Sequence, residues 1–249
     1  MKSVILLLLS FCFVSCAESS KSDAAKTTAT SKRYTPLSLE ESKKLITPTT
    51  YSIAVYNLDK MSCDGQKKIK DINGKVLFNA CKEVYAGCEM EGTCQVQQGS
   101  KKLLLNVDAV RDGERRFVVI KDSECIYGKG ARRDKVKGYK IMCLDPYYSV
   151  AADLSIYNLG DVVYIPSAVG ISLPDGSTHD GYFVVRDSGG AIKGYGRFDF
   201  FSGLKSSSNP LKMAGFSDKG NNVPYYVVKG SEADQFLKKR NFPILPVGK

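Results

Sequence analysis

Two aspartates at the ends of a glycine-rich stretch are the residues of this sequence best suited to chemistry. Residues 186–199 read RDSGGAIKGYGRFD, which places Asp187 near one end and Asp199 at the other. Paired carboxyl groups can divide acid and base roles when their surroundings push their pKa values apart. Because glycine permits tight turns and close backbone approach, we expect the two acids to meet in one groove.

Other kinds of site fit the sequence less well. The single histidine, His179 in GSTHDG, argues against a Ser–His or Cys–His nucleophile and against a histidine metal cluster. The glycine-rich stretch lacks the P-loop pattern and no helix follows it, which argues against nucleotide binding. Because no two cysteines are spaced as CxxC, a zinc ribbon is not expected either. We therefore predict no metal and no cofactor.

The net charge of +10 favours an anionic partner. The basic residues are spread along the chain, and the densest runs, GARRDKVKGYK and LKKR, are short. We interpret them as a solvated basic surface and expect no nucleic-acid partner.

The N-terminus is typical of an exported protein. Residues 1–16 hold a charged start and an apolar run from Val4 to Val14, too short to span a bilayer. The run ends at FVSC, which resembles a lipobox and would make Cys16 the lipidated residue; cleavage after Ala17 is the alternative. We expect an outer-membrane lipoprotein facing the periplasm, anchored through its lipid, or a periplasmic protein if Cys16 is not lipidated. Residues 17–48 are predicted to be a flexible tether.

Cysteine usage agrees with export. Six cysteines follow the tether, an even number that predicts up to three disulfides with fifteen possible pairings. They are Cys63, Cys81, Cys88, Cys94, Cys125 and Cys143.

Residues 49–249 have the texture of a β domain. Short runs rich in Val, Ile, Tyr and Phe are bounded by Gly, Asp, Asn or Pro, which predicts a β-sandwich or closed barrel. The runs are TYSIAVYNL, KVLFNACKEVY, KKLLLNVDAV, RRFVVIKD, KGYKIMCLD, GDVVYIP, GYFVVRD, GRFDFFSG and VPYYVVKG. Helices are predicted only at SLEESKKL and at GSEADQFLKKR, the second with Ser231 as its N-cap.

Three segments carry a resemblance to a known family. AADLSIYNLGDVVYIP, DSGGAIKG and RFDFFSG resemble the 3D domain, which is named for three aspartates. That domain occurs in the C-terminal part of MltA-type lytic transglycosylases and in related stand-alone proteins. The three aspartates fall here on Asp153, Asp187 and Asp199. Upstream, MEGTCQV is similar to the strand that borders the glycan groove of those enzymes.

The resemblance implies a fold and a reaction. The fold would be all-β, a six-stranded double-psi β-barrel with additional strands and loops and short terminal helices. The substrate would be peptidoglycan, cleaved at the β-1,4 bond between N-acetylmuramic acid and N-acetylglucosamine with formation of a 1,6-anhydro end. Asp199 would be the general acid/base, its pKa raised by flanking Phe198 and Phe200, with Asp187 as its partner. Asp153 would have a supporting role.

The resemblance also implies substrate-binding residues, namely Glu91, Thr93, Gly189, Gly190 and Lys193. The sequence departs from the family in one important respect. Asp187 and Asp199 are twelve positions apart, about one more than usual, a difference that a β-bulge could absorb. The alternatives are a non-catalytic, expansin-like protein that binds wall glycan, and a disulfide-stapled envelope scaffold. We expect a monomer.

Overall fold

Strands make up most of the regular structure. The computed structural model describes residues 46–120, 125–131, 142–217 and 223–242, all within the unit Tyr34–Lys249. Its strands are β1 (Thr47–Asn57), β2 (Gln66–Lys70), β3 (Val76–Cys81), β4 (Thr93–Gln98), β5 (Lys101–Arg111), β6 (Glu114–Ile120), β7 (Ser149–Ala151), β8 (Val162–Tyr164), β9 (Tyr182–Asp187), β10 (Arg197–Leu204) and β11 (Tyr226–Val228). Its helices are α1 (Lys82–Glu91), α2 (Pro210–Met213) and α3 (Ser231–Lys239).

One long strand joins the two halves of the main sheet. The sheet has nine strands in the order β11-β8-β9-β7-β10-β1-β4-β5-β6, and β2 and β3 form a separate hairpin. The first part of β1 runs parallel to β10, with Thr49 opposite Asp199. The last part of β1 runs parallel to β4, with Ala54 opposite Cys94. β1 therefore holds the C-terminal half of the sheet next to the half built from residues 66–120.

Each half has its own apolar core. In the C-terminal half, aromatic side chains from β9 and β10, including Phe183, Phe198 and Phe200, pack together fully buried. In the other half, Phe78, Phe117 and the cysteines of α1 and β4 form a second buried cluster. Two cores on one continuous sheet leave a cleft where β1 passes from one half to the other.

Three disulfides form among the described residues. They pair Cys63 with Cys81, Cys88 with Cys94, and Cys125 with Cys143. The second ties α1 to β4, so it fixes the short connection at Glu91 and Gly92. Disulfides of this kind are typical of proteins that leave the reducing cytoplasm.

The prediction of a mostly β fold is confirmed, whereas the closed double-psi barrel is not. Among the described residues the strand order is open, with β11 and β6 as its two ends. The run KVLFNACKEVY was wrongly expected to be one strand, because β3 ends at Cys81 and α1 follows, burying Val84, Tyr85 and Cys88 on one face. Gly92 then ends α1 in the left-handed region, φ 76°.

Two boundaries also differ from expectation. Ser231 was predicted to cap α3, but it is the first helical residue: Gly230 is the N-cap, and its carbonyl accepts the Asp234 N–H. β1 begins at Thr47, within the last residues assigned to the tether. The signal segment with Cys16, the rest of the tether and the SLEESKKL helix lie outside the described residues. No helix in the described ranges combines the length and apolar character that a membrane crossing requires.

Candidate active site

A β-bulge brings Asp187 onto the same sheet face as Asp199. β7 lies between β9 and β10, and its residue Ala151 is in register with Asp187 on one side and with Asp199 on the other. Val150 pairs with Val185, so Arg186 is an additional residue between two consecutive pairs. Strict alternation would have turned Asp187 to the core side with Val185. The bulge turns it away from the core instead.

A short chain of hydrogen bonds holds Asp199. Arg197 Nη1 donates to Thr49 Oγ1 (2.8 Å), and the Thr49 hydroxyl donates to Asp199 Oδ1 (2.8 Å). Partial burial raises the pKa of Asp199, against the lowering effects of the Thr49 bond and the Arg197 charge. The expected contacts with Phe198 and Phe200 are wrong, because both rings point into the core on the opposite face of β10. The pKa of Asp199 is nevertheless raised, because the carboxyl group is partly buried.

Asp187 is held at both carboxyl oxygens. Ser188 N–H donates to Oδ1 (2.8 Å), and the Tyr51 hydroxyl donates to Oδ2 (2.9 Å). Burial raises the pKa of Asp187 to about 6, and the charge of Asp199 adds to the increase, while the two donors oppose it. Burial therefore raises the pKa of both carboxyl groups and favours their protonated forms.

Glu91 is a third acid of this site. Burial, and then the charge of Asp199, raise its pKa above the ordinary value. The pKa of Tyr51 is also well above its usual range, through burial first and then the charges of Asp187, Asp199 and Glu91. Tyr51 therefore stays a neutral phenol and acts as a hydrogen-bond donor among three acids.

These groups border a cleft of about 340 Å³ between the two halves of the sheet. Each half contributes: Glu91, Gly92, Thr93 and Asn106 come from the α1–β4–β5 side, and Asp187 to Gly190 from the C-terminal side. Tyr51 lines the cleft from β1, and Phe201, two residues after Asp199, lines it from β10. Asp199 adjoins the cleft without being one of its lining residues. Its charge acts on three lining groups, Asp187, Glu91 and Tyr51.

The glycines of the DSGGAIKGYG stretch have different uses. Gly194 and Gly196 adopt positive φ values, 93° and 68°, and allow the return of the chain from β9 to β10. Gly189 and Gly190, by contrast, line the cleft. A Cβ on Gly190 would meet no atom within 4 Å, so this position opens onto free space.

Asp153 and Lys193 lie apart from the two acids. The Asp153 carboxylate follows β7 and accepts from Ser155 N (3.0 Å), Ser155 Oγ (2.8 Å) and Gly194 N (3.0 Å). These bonds lower the pKa of Asp153 to about 2. The Lys193 ammonium is 3.7 Å from Asp153 and largely exposed, and it does not line the cleft. Asp153 therefore fastens the 193–194 turn to the end of β7.

Thr93 is buried, and its hydroxyl donates to Asn106 Oδ1 (2.7 Å). Of the residues predicted to bind substrate, Glu91, Thr93, Gly189 and Gly190 line the cleft. Three residues of the site, Thr49, Tyr51 and Arg197, were not predicted from the sequence. Thr49 and Tyr51 alternate along β1, which indicates only that they share one face of that strand. The residues near them in sequence do not show that β1 pairs with a strand about 150 residues away.

A cleft bordered by interacting carboxyl groups is typical of sites that carry out acid/base catalysis or bind polar ligands. Residues 148–229, which hold Asp153, Asp187 and Asp199, match the model of the 3D domain. The chain therefore carries a 3D domain, as its sequence predicted. No curated protein matches the sequence.

The solved structures that match this chain include three lytic transglycosylases. Escherichia coli MltA with bound chitohexaose has a TM-score of 0.47 and 14% identity, over 74% of this chain and 71% of that one. A membrane-bound lytic murein transglycosylase from Agrobacterium tumefaciens has a TM-score of 0.41 and 13% identity, over 82% of this chain and 72% of that one. The lytic transglycosylase LtgG of Burkholderia pseudomallei has a TM-score of 0.38 and 14% identity, over 74% of this chain and 72% of that one. At these scores and identities the likeness assigns no activity.

Proposed function

We propose that the protein is a peptidoglycan lytic transglycosylase with Asp199 as its general acid/base. It would cleave the β-1,4 bond between N-acetylmuramic acid and N-acetylglucosamine and leave a 1,6-anhydro end. The observation that carries this proposal is the placement of Asp187 and Asp199, both opposite Ala151 and both on the face that borders the cleft. The match of residues 148–229 to the 3D domain supports the same reading.

The hydrogen bonds favour Asp199 over Asp187 as the group that moves a proton. Asp187 accepts a donor at each oxygen, which fixes its carboxyl group. Asp199 accepts from Thr49 at Oδ1 alone among the described contacts, which leaves Oδ2 available to a substrate. Its raised pKa favours the protonated form that a general acid needs.

One carboxyl group is sufficient for the proposed reaction. Protonated Asp199 donates its proton to the glycosidic oxygen as the bond from that oxygen to muramic C1 breaks. The Asp199 carboxylate then takes the proton of the muramic C6 hydroxyl as its oxygen bonds to C1. The acid is regenerated and no water is consumed, in contrast to hydrolases that need a second carboxylate to activate water.

The remaining residues of the cleft would bind and orient the glycan. Glu91, with its raised pKa, can offer a hydrogen-bond donor or acceptor to sugar hydroxyls at the α1 side. Gly189 and Gly190 let the sugar approach the backbone at the other side. The three disulfides agree with an exported protein that works on the cell wall, and lipidation of Cys16 belongs to the same proposal.

The test is digestion of purified cell-wall sacculi followed by mass analysis of the released muropeptides. We expect 1,6-anhydro products from the wild type and a loss of roughly 10²-fold or more in Asp199→Asn. Asp161→Asn is the matched control, because that carboxylate accepts the Asn158 N–H within a turn and does not line the cleft. Hydrated reducing ends would identify a hydrolase instead. Binding to sacculi without any product would support the non-catalytic glycan-binding alternative.

A further inference from the structure

A second cleft, larger than the first, lies at the C-terminal end of β10. Its volume is about 650 Å³, within the range of small-ligand sites. The lining is aromatic and apolar on one side and charged on the other. It includes Tyr127, Pro146, Tyr147, Tyr148, Leu173 and Pro174, together with Asp145, Asp175, Asp180, Lys239 and Arg240.

Tyr147, one of the residues that line this cleft, has a strained backbone. Tyr147 has φ 66°, which is an unfavourable conformation for a bulky residue. Its N–H donates to the Phe201 carbonyl (2.7 Å), and its carbonyl oxygen accepts from His179 Nε2 (2.9 Å). His179 Nδ1 accepts from Gly181 N–H, so Nε2 carries the proton. The single buried histidine thus fixes the strained residue in place.

The charges of the second cleft leave one carboxylate available. Arg240 binds Asp145 through two hydrogen bonds (2.6 and 2.7 Å) and lies over the Tyr148 ring. Lys239 pairs with Asp180 at 2.8 Å. Asp175 is exposed, accepts from Ser177 N and Oγ, and forms no ion pair with a described residue. Three carboxylates against two cations give the cleft a net negative charge on a protein whose overall charge is +10.

Two tyrosine side chains accompany this carboxylate. Tyr127 and Tyr147 are both half-buried in the cleft wall. Tyr127, Tyr147 and Asp175 all line this cleft, and the pKa of Tyr147 is raised by burial first and then by the charges of Tyr127 and Asp175. A carboxylate beside aromatic faces is a suitable site for an ammonium group on an aliphatic chain.

The two clefts adjoin along the chain. Leu144 and Phe201 line the first cleft, while the residues directly after them, Asp145 and Ser202, line the second. The two clefts therefore share these two backbone segments as a common wall.

We propose that the second cleft binds the peptide branch of the wall polymer through a free side-chain ammonium group. The ammonium group lies against Asp175 and the rings of Tyr127 and Tyr147, and its aliphatic stem lies against Leu173 and Pro174. This inference rests on the proposed function for the identity of the polymer, whereas the preference for an ammonium-bearing peptide follows from the cleft itself.

The test is calorimetric titration of the full chain with a synthetic wall stem peptide that carries a free side-chain ammonium group. The same peptide acetylated at that nitrogen is the second probe. We expect the wild type to bind the acetylated peptide about tenfold more weakly. Asp175→Asn should weaken binding of the free-amine peptide to the same degree and should no longer distinguish the two peptides. Asp71→Asn, which alters a turn carboxylate outside the second cleft that accepts two backbone N–H groups, should behave as the wild type.

The outcomes separate this inference from the proposed function. Equal affinity for both peptides, no binding by the wild type, or unchanged selectivity in Asp175→Asn would overturn it. Asp199→Asn should lose cleavage of sacculi and keep the selective binding of the free-amine peptide. If the wild type binds the free-amine peptide selectively and cleaves no glycan, the proposed function is wrong, whereas the inference that the second cleft binds an ammonium-bearing peptide is supported.

Discussion

Asp187 and Asp199 lie on either side of a single residue, Ala151, and are in register with it on two neighbouring strands. Two strand spacings separate their backbones, about 10 Å. The arrangement requires the bulge at Arg186, since alternation alone would bury Asp187 with Val185. The bulge therefore determines that the two acids share one face, and with it the electrostatic coupling between them.

Replacing Asp187 should stabilise the protein at neutral pH. The folded state holds the pKa of Asp187 at about 6, above its ordinary value of 3.8. A raised carboxyl pKa contributes stability below the unfolded value and loses it as pH rises through the folded value. Asp187→Asn should thus raise the free energy of unfolding by up to about 3 kcal/mol at pH 7.5, and by little at pH 4.

Denaturant unfolding of both chains between pH 4 and pH 8 measures this difference. A stability difference that stays constant across the range would show that Asp187 titrates normally. Asp161→Asn, which alters a turn carboxylate outside the cleft, again serves as the control.

Thr49 should set the pH range of activity. Its hydroxyl donates to Asp199 and lowers the pKa of that acid. Thr49→Val removes the donor at similar volume, so the pKa of Asp199 should rise further. If the protonated acid is the active form, the alkaline limb of the pH–rate profile for sacculus digestion should move to higher pH. Thr49→Ser keeps the hydroxyl and should restore the wild-type profile; an identical shift in Ser and Val would contradict this account.

The sequence predicted the residues of the site better than their arrangement. The DSGGAIKG and RFD segments identified Asp187 and Asp199, because their spacing is local and belongs to a known motif. The role of Thr49 and Tyr51 depends on the parallel pairing of β1 with β10, which joins residues about 150 positions apart and leaves no local pattern. The contact of Phe198 and Phe200 with Asp199 was inferred from adjacency, but neighbours along a strand point to opposite faces.

The mostly β character was also predictable, since most strands are short runs rich in Val, Ile, Tyr and Phe. α1 was missed because Val84 and Tyr85 continue the run KVLFNACKEVY and are residue types common in strands, whereas the disulfide from Cys88 to Cys94 and the packing of Tyr85 on Phe117 favour the helix. Tertiary contacts of this kind override local propensity.

Asp153 should stabilise the fold with an acid-sensitive contribution. Its pKa is lowered to about 2 by three hydrogen bonds, so its stabilisation is present above the unfolded pKa and is lost as pH falls toward 2. Asp153→Ala should lower the melting temperature at pH 7, and the difference should shrink at pH 2 to 3. Ser155→Ala, which removes one of the donors, should give a smaller decrease. A variant that melts like the wild type at pH 7 would contradict the fastening role of Asp153.

Gly130 should be essential to the cleft wall for a steric reason. A Cβ at this position would lie 2.2 Å from the carbonyl oxygen of Arg186, the residue of the bulge. That oxygen accepts the Ala131 N–H at 3.1 Å, so the two segments cannot separate without losing the bond. Gly130→Ala should destabilise the protein by about 1 to 3 kcal/mol. Because the displaced backbone carries Asp187, it should also reduce sacculus digestion.

Gly190→Ala is the matched control for the steric argument. Gly190 lines the same cleft, but its added Cβ would meet nothing within 4 Å, so its free energy of unfolding should change by less than about 0.5 kcal/mol. Urea unfolding of the two variants compares them directly. Equal stability of Gly130→Ala and Gly190→Ala would mean that the loop at 130 can move away from the bulge, and that the position of Asp187 does not depend on this close approach.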